Sequence, residues 1–467
     1  MNFRWIAVSA LGFGGLMSLA SAQGDPATVQ KIIDEGKNHS QVVDLLHQLC
    51  FDIGPRVTGS PKLFQAQQWA MGKFKRWGLK NVHLEKWGEV PVGFQRGDRQ
   101  IGRMVEPFES NFSFTTMNWM PGTNGLERGP VIKEPKTMAE VTEDSGKLKG
   151  AWILCQGDTF MRGPTLNEPP DVRKALDDAG IAGRIFGTRS ENVWSHGSYV
   201  GKTYDKHPTD VEVTVSRPDY DRLMRNLDFG RHVVVEFDLE NEWFKGPIPQ
   251  YNVVAEIPGT EKPDEVVIVS GHLDSWNSPG SQGANDNGTG SCVALETARI
   301  LSACHAKPKR TIRFILWSGE EEGLLGSTAY VKAHEAELDK ISAVLVDDEG
   351  SNYHSGFVAY EVMRPMMEEA FAPVNAAFPT MQLKFHSTGD MTHEGGSDHA
   401  PFDRVGVPGL DVGQSGKQNY GHVWHTQFDR FDEAIPEYLV QGATDFAVIS
   451  YNLADAATML PRGKPQR

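Results

Sequence analysis

The chain has 467 residues, more than a single hydrophobic core usually holds, so its length predicts two domains. A hydrophobic content of 39% and a charged content of 23% are typical of globular proteins. The formal net charge is −15, from 46 basic and 61 acidic residues, with no basic cluster. This charge pattern excludes nucleic acid as the expected partner.

The N-terminus has the three parts of a secretory signal peptide. Arg4 provides a positive start, residues 5–20 form an apolar run, and Ala20-Ser21-Ala22 resembles a cleavage site between small residues. Because the apolar run is shorter than the roughly 20 residues of a spanning helix, we expect cleavage rather than a membrane anchor. Residues 1–22 therefore predict a secreted or periplasmic protein with no membrane association after cleavage.

The four cysteines do not suggest a metal site. None of them forms a C-x-x-C pair, so a zinc site with cysteine ligands is not expected. An oxidising compartment permits disulfides, but the sequence fixes no pairing among Cys50, Cys155, Cys292 and Cys304.

The predicted elements begin with a helical part at residues 23–95, the N-terminal part of the main domain. It includes a helix over 64–77, which Gly78 ends. Residues 96–245 have short apolar runs separated by glycine, proline and aspartate, which predicts a small β-rich insert with few helices. Within this insert we expect strands at 151–155 and 181–186 and a helix at 171–179.

From residue 246 to 467, continuous apolar runs alternate with helices. Strands are predicted at 266–269, 311–317 and 343–346, and helices at 291–302, 327–334 and 435–460. This alternation is typical of a parallel sheet covered by helices on both faces. The predicted fold class is α/β, with a mixed, mostly parallel sheet and an inserted β-rich module.

Polar clusters follow each of the three predicted strands. In chain order they contain His272 and Asp274, then Glu320, Glu321 and Glu322, then Asp347, Asp348 and Glu349. Because the carboxyl ends of parallel strands share one edge of a sheet, we expect these side chains to meet there. A glycine-rich loop with Asp286 can return to the same edge, and the later segment 424–429 supplies a further imidazole, that of His425.

Crowded carboxylates repel one another unless cations neutralise them, and histidine with carboxylate is a ligand set suited to zinc. Two zinc ions need one shared carboxylate and about two further ligands each. The residues that supply this number are His272, Asp286, Glu321, Asp348 and His425. Glu320, next to a proposed ligand, is the predicted general base for a metal-bound water.

Three assignments have alternatives at this point. Asp347 competes with Asp348, and His422 competes with His425, for one ligand position each. Asp274 lies two residues after the first proposed histidine ligand, where it can accept that ring's other N–H and fix its tautomer. Its alternative role is to cap a turn.

The sequence resembles the co-catalytic zinc exopeptidases of the bacterial secreted aminopeptidase and carboxypeptidase Q type. The matching motifs are Gly271-His272-Leu273-Asp274-Ser275-Trp276, residues 283–288, 317–323 and 397–402, Asp348 with Gly350, and His425-Thr426 with Asp429. The resemblance covers residues 246–460 and, more weakly, residues 40–95.

The resemblance implies that Asp286 bridges the two zinc ions and is followed by a cis peptide bond. It implies that His272 and Asp348 complete one metal, and that Glu321 and His425 complete the other. Residues 96–245 resemble a protease-associated domain.

The predicted function is hydrolysis of dipeptides or short peptides next to a free amino terminus. A homodimer is compatible with the sequence. A single-zinc glutaminyl cyclase and a non-catalytic receptor-like relative are the alternatives; retention of all five ligands favours the peptidase. The sequence does not decide whether the enzyme is an aminopeptidase or a carboxypeptidase, nor which substrate side chains it prefers.

Overall fold

The structure is a computed structural model that describes residues 23–159, 167–388 and 396–462, so the predicted signal peptide lies outside the described residues. The α-helices are α1 (Pro26–His39), α2 (Val42–Gln48), α3 (Pro61–Arg76), α4 (Met138–Asp144), α5 (Pro170–Asp178), α6 (Arg217–Asp228), α7 (Thr289–Ala303), α8 (Leu325–Ala333), α9 (Arg364–Ala377), α10 (Ala400–Asp403), α11 (Tyr420–Val423) and α12 (Pro436–Asp455). The strands are β1 (Lys80–Glu106), β2 (Ser110–Asn111), β3 (Phe114–Thr115), β4 (Glu127–Lys133), β5 (Trp152–Thr159), β6 (Gly183–Thr188), β7 (Glu212–Val215), β8 (Val234–Ile257), β9 (Lys262–His272), β10 (Arg310–Trp317), β11 (Ile341–Val346), β12 (Tyr353–Tyr360), β13 (Lys384–Thr388) and β14 (Gly409–Ser415).

These strands form one mixed sheet. Its order is β13-β12-β14-β11-β9-β10-β8-β4-β5-β6-β7-β3, with β1 paired to β8 and β2 paired to β1. The central strand β9 is parallel to both β10 and β11, and β11 is parallel to β14. The prediction of a mixed, mostly parallel sheet flanked by helices is confirmed.

Both faces of the central strands are buried, as their continuous apolar runs predict. Along β9, Val267 and Val269 belong to a core that includes α7 and α12. The alternating residues Val266 and Ile268 belong to a second core that includes α8. From Val266 to His272 the strand therefore has no solvent-exposed face, and polar side chains can lie at its end.

The last helix is shorter than predicted, since α12 ends at Asp455 rather than at 460. Two basic side chains donate hydrogen bonds to backbone carbonyl oxygens at this end of the helix. Lys309 Nζ donates to the Asp455 carbonyl at 2.9 Å, and Arg310 Nη1 donates to the Ala456 carbonyl at 2.5 Å. These bonds satisfy carbonyl groups that a longer helix would have satisfied internally.

The described part of residues 96–245 contains its own apolar packing, with helices α4 to α6 and strands β2 to β7. One cluster surrounds Trp152 and Phe237, and another surrounds Ile153 and Leu176. β1 and β8 form a long antiparallel ribbon that runs through residues 96 and 245, so both predicted boundaries fall inside strands. All four cysteines are free thiols, and no described helix is long and apolar enough to cross a bilayer.

Candidate metal centre

The three strand ends meet at one edge of the sheet. His272 is the last residue of β9 and lies opposite Trp317, the last residue of β10. Glu320 follows β10 after a turn in which Gly319 has a φ of 73°, a value that favours glycine. Asp348 follows β11. The expected convergence of polar side chains at strand ends is what the structure shows.

The five predicted ligands lie together in two groups that share Asp286. In the first group, His272 Nε2 lies 3.0 Å from Asp348 Oδ1 and 3.3 Å from Asp286 Oδ1. In the second group, His425 Nε2 lies 3.1 Å from Glu321 Oε2 and 3.2 Å from Asp286 Oδ2. Each oxygen of the Asp286 carboxylate thus faces a different imidazole.

The two competing residues lie elsewhere. Asp347 Oδ2 lies 3.1 Å from His354 Nε2, and Asp347 Oδ1 accepts a hydrogen bond from Gln414 Nε2 at 2.8 Å. The His422 ring stacks on Phe428 with 4.2 Å between centroids. Both carboxylate oxygens of Asp347 are used in these contacts. The distances of the two groups place Asp348 and His425 in the cluster.

A cavity of about 610 Å³ opens over the cluster. Glu320 lines it, and its Oε2 lies 3.8 Å from His272 Nε2. Two further carboxylates in the lining, Glu349 and Asp411, belong to neither group. The described lining residues include no lysine or arginine, so the cavity presents an excess of negative charge.

This excess of charge controls the protonation of the site. Although burial disfavours the imidazolium, the carboxylates of Glu321 and Asp286 raise the pKa of His425 to about 10. Burial, together with the charge of Asp286, raises the pKa of Glu321 to about 8. Burial also raises the pKa of Glu320 well above its usual value. These directions are the ones expected where buried carboxylates outnumber cations.

Asp274 lies behind the first imidazole. His272 Nδ1 lies 3.0 Å from the Asp274 carbonyl oxygen and 3.6 Å from Asp274 Oδ1, so the carbonyl is the nearer acceptor. The other carboxylate oxygen, Oδ2, accepts hydrogen bonds from Thr58 Oγ1 at 3.1 Å and from the Glu321 N–H at 3.3 Å. Asp274 therefore connects the segments that carry His272 and Glu321.

Several supporting residues were missed by the sequence reasoning. The buried Arg56 donates to the carbonyl oxygens of Leu273 at 2.6 Å and Gly283 at 2.7 Å, and so links the segment after β9 to the loop that carries Asp286. The Asn285 N–H donates to Asp429 Oδ1 at 2.5 Å, directly before Asp286. A single arginine far from the motifs carries no signal in one sequence, whereas Asp429 was already part of the matching motif.

The peptide bond between Asp286 and Asn287 is cis, as the resemblance implies. Asn287 Nδ2 donates to the Asp347 carbonyl at 2.7 Å, and Asn287 Oδ1 accepts from the Gly290 N–H at 2.9 Å. These bonds attach the loop to the end of β11 and to the start of α7. The position of the Asp286 carboxylate is thereby fixed between the two imidazoles.

Residues 252–449 match peptidase family M28. Carboxypeptidase Q of Mus musculus is 28% identical over 433 residues, which cover 91% of this chain and 88% of that protein. A solved peptidase M28 precursor from Shewanella amazonensis is 25% identical with a TM-score of 0.65, covering 94% of this chain and 99% of that chain. A zinc aminopeptidase from Bacillus subtilis shares the fold at 20% identity and a TM-score of 0.55, covering 89% of this chain and 97% of that chain.

All five clustered residues lie inside the matched segment. The family match, the extended similarity to carboxypeptidase Q and the shared fold therefore refer to the same part of the molecule. Over residues 252–449 the chain is similar to the peptidases of family M28, and the protein is a metallopeptidase.

Proposed function

We propose that the protein is a secreted or periplasmic zinc exopeptidase that hydrolyses dipeptides or short peptides at a free amino terminus. The observation that carries this proposal is the shared Asp286, which presents one oxygen to each imidazole at 3.3 and 3.2 Å. One bridging carboxylate with a histidine and a second carboxylate on each side is a donor set for two zinc ions. Residues 96–245 form the proposed protease-associated-like insert between residues 23–95 and 246–467.

The donor set fits divalent cations on a second ground. Asp286 is only 4% exposed, and within the described residues its Oδ2 atom is buried without a hydrogen bond. A buried carboxylate oxygen without a donor is costly, and a cation at this point would compensate it. His272 and Asp348 would hold one zinc, Glu321 and His425 the other, and Asp286 both.

The residues of the chain divide the reaction between them. The zinc ions, when bound, would lower the pKa of a water and polarise a carbonyl. Glu320, free of the ligand set and facing the cavity, accepts the proton of the attacking water and later donates it to the leaving amine. The backbone carbonyl of Asp274 holds the His272 ring so that Nε2 points to the cluster.

The charge of the cavity supports recognition of an ammonium group rather than a carboxylate. Glu349 and Asp411 lie in the lining, where they would accept hydrogen bonds from a substrate cation, and the described lining includes no lysine or arginine for a carboxyl terminus. A hydrogen bond to a charged group contributes about 1.5–3 kcal/mol. The free amine is therefore the end of the peptide that this cavity favours.

N-acetylation of a dipeptide substrate is expected to lower kcat/KM by roughly 100-fold, which corresponds to about 3 kcal/mol of lost contacts. C-terminal amidation of the same dipeptide is expected to change it by less than about threefold. Release of amino acids from the three substrates, followed by chromatography, measures both effects. The opposite ranking would identify a carboxypeptidase and contradict this polarity.

Removal of metal is expected to abolish activity and to lower the melting temperature. A ligand at 100 times its Kd stabilises the folded state by about 2.7 kcal/mol, so zinc added back should restore both properties. Metal analysis and thermal unfolding before and after chelation provide the measurement. Activity that is indifferent to chelators would contradict the proposal, and one tightly held zinc per chain would favour a glutaminyl cyclase.

A further inference from the structure

Residues 193–196, which belong to the 96–245 part of the chain, lie along the segment that carries His425. The Ser195 N–H donates to the His425 carbonyl oxygen at 2.7 Å, and the Val193 N–H donates to Gln427 Oε1 at 2.9 Å. Between them, Trp194 forms an antiparallel bridge with Thr426. Three consecutive residues, 425–427, are therefore attached to the 193–196 segment.

His425 depends on such contacts because of its backbone conformation. Its φ is 56°, in the left-handed region, which costs a residue with a side chain about 1–2 kcal/mol. The acceptor of the Ser195 N–H is the backbone carbonyl of His425 itself. Residues 193–196 thus help to hold a proposed zinc ligand in a conformation that it would not adopt by local preference.

The same segment also reaches the second ligand of that metal. The His196 ring stacks on the Trp276 ring with 4.7 Å between centroids and 28° between planes. The backbone N–H of Trp276 donates to Glu321 Oε1 at 3.3 Å. Trp276 also packs edge-on against Trp119, another residue of the 96–245 part. Both His425 and Glu321 are therefore positioned with contributions from residues 96–245.

The other proposed zinc pair is held differently. His272 and Asp348 stand at the ends of β9 and β11, inside the parallel sheet. The His272 carbonyl accepts a hydrogen bond from Ser291 Oγ at 2.6 Å, and the ring is oriented by the Asp274 carbonyl. The sheet and α7 supply these contacts, so the two halves of the metal centre have different structural supports.

We infer that the 193–196 segment is a positioning element for the zinc held by His425 and Glu321, and that it leaves the zinc held by His272 and Asp348 unaffected. The inference rests on the proposed two-zinc function. The 96–245 part then sets the affinity of one metal of the pair, beyond any role in admitting substrate.

Ser195→Pro tests the inference because it removes only one backbone donor, the N–H that bonds to His425. Ser195→Ala is the matched control, since it keeps this N–H and loses only the two side-chain hydrogen bonds that Ser195→Pro also loses. These run from Ser195 Oγ to the Asn277 carbonyl at 2.8 Å and from Asn118 Nδ2 to Ser195 Oγ at 3.2 Å. Metal analysis gives the zinc stoichiometry, and competition with a chromophoric chelator gives the affinity of each zinc. Thermal unfolding of the metal-free proteins checks that each variant folds.

The wild type is expected to bind two zinc ions per chain. Ser195→Pro should bind one with wild-type affinity and the other at least tenfold more weakly, whereas Ser195→Ala should bind both as the wild type does. If Ser195→Pro does not fold, His196→Ala decides the question, because it removes the ring on Trp276 and should also weaken one zinc only.

Two further results would overturn the inference in distinguishable ways. If the wild type binds two zinc ions and the variants bind both with wild-type affinity, or bind both more weakly to the same extent, the positioning role is contradicted. The proposed function stays intact in that case. Fewer than two zinc ions in the wild type would contradict the proposed function itself.

Discussion

Glu320→Gln is expected to lower kcat by about 10³-fold with both zinc ions still bound. A positioned general base contributes about 10²–10⁴-fold, and the amide has nearly the same shape but cannot accept the proton of the water. Glu320 lies in the cavity lining, with Oε2 3.8 Å from His272 Nε2, and belongs to neither ligand group. Steady-state kinetics on a dipeptide and metal analysis of the same sample measure the two effects.

Glu335→Gln serves as the matched control for this substitution, because Glu335 is exposed and lies in a short helical turn after α8. It should leave kcat, KM and zinc content unchanged. A Glu320→Gln enzyme with near-normal turnover would refute the assignment. Loss of zinc from this variant would instead make Glu320 a ligand.

Asp286→Asn is expected to have the largest effect, a loss of kcat/KM of more than about 10⁴-fold together with most of the bound zinc. The carboxylate faces both imidazoles, so a neutral amide would weaken both proposed metal sites at once. The chemistry lost would be the lowering of the pKa of a water by bound zinc. Zinc content per chain and activity at saturating zinc are the two measurements.

For Asp286, the comparison is with Asp339→Asn, an equally conservative change at an exposed position. That variant should keep two zinc ions and full activity. Retention of both metals by Asp286→Asn would contradict a bridging role. Selective loss of one metal would mean that this carboxylate serves only one of the two groups.

The parts of the fold that the sequence predicts best are those governed by continuous apolar runs. The runs before His272 and Asp348 are strands buried on both faces, and parallel strands place their ends together. The site could therefore be located from polar residues that follow these runs. Distances then separate Asp348 from Asp347, which a single sequence leaves as alternatives.

The parts that sequence reasoning missed depend on contacts between distant segments. β1 and β8 contain many half-exposed residues, with prolines such as Pro91 and Pro247, which weaken any strand pattern. Arg56 acts through backbone carbonyls, which have no sequence signature. The bond from Ser195 to His425 joins two backbones 230 positions apart, and only the folded chain brings them together.

The β1–β8 ribbon limits how the enzyme can open. Its main-chain hydrogen bonds cross both ends of residues 96–245, and β8 also pairs with β10 of the central sheet. A swing of this part as a rigid body would have to break backbone pairing within a shared sheet. Peptides are therefore expected to enter by rearrangement of side chains and loops around the cavity. For the same reason, residues 23–95 and 246–467 are not expected to remain soluble if residues 96–245 are removed.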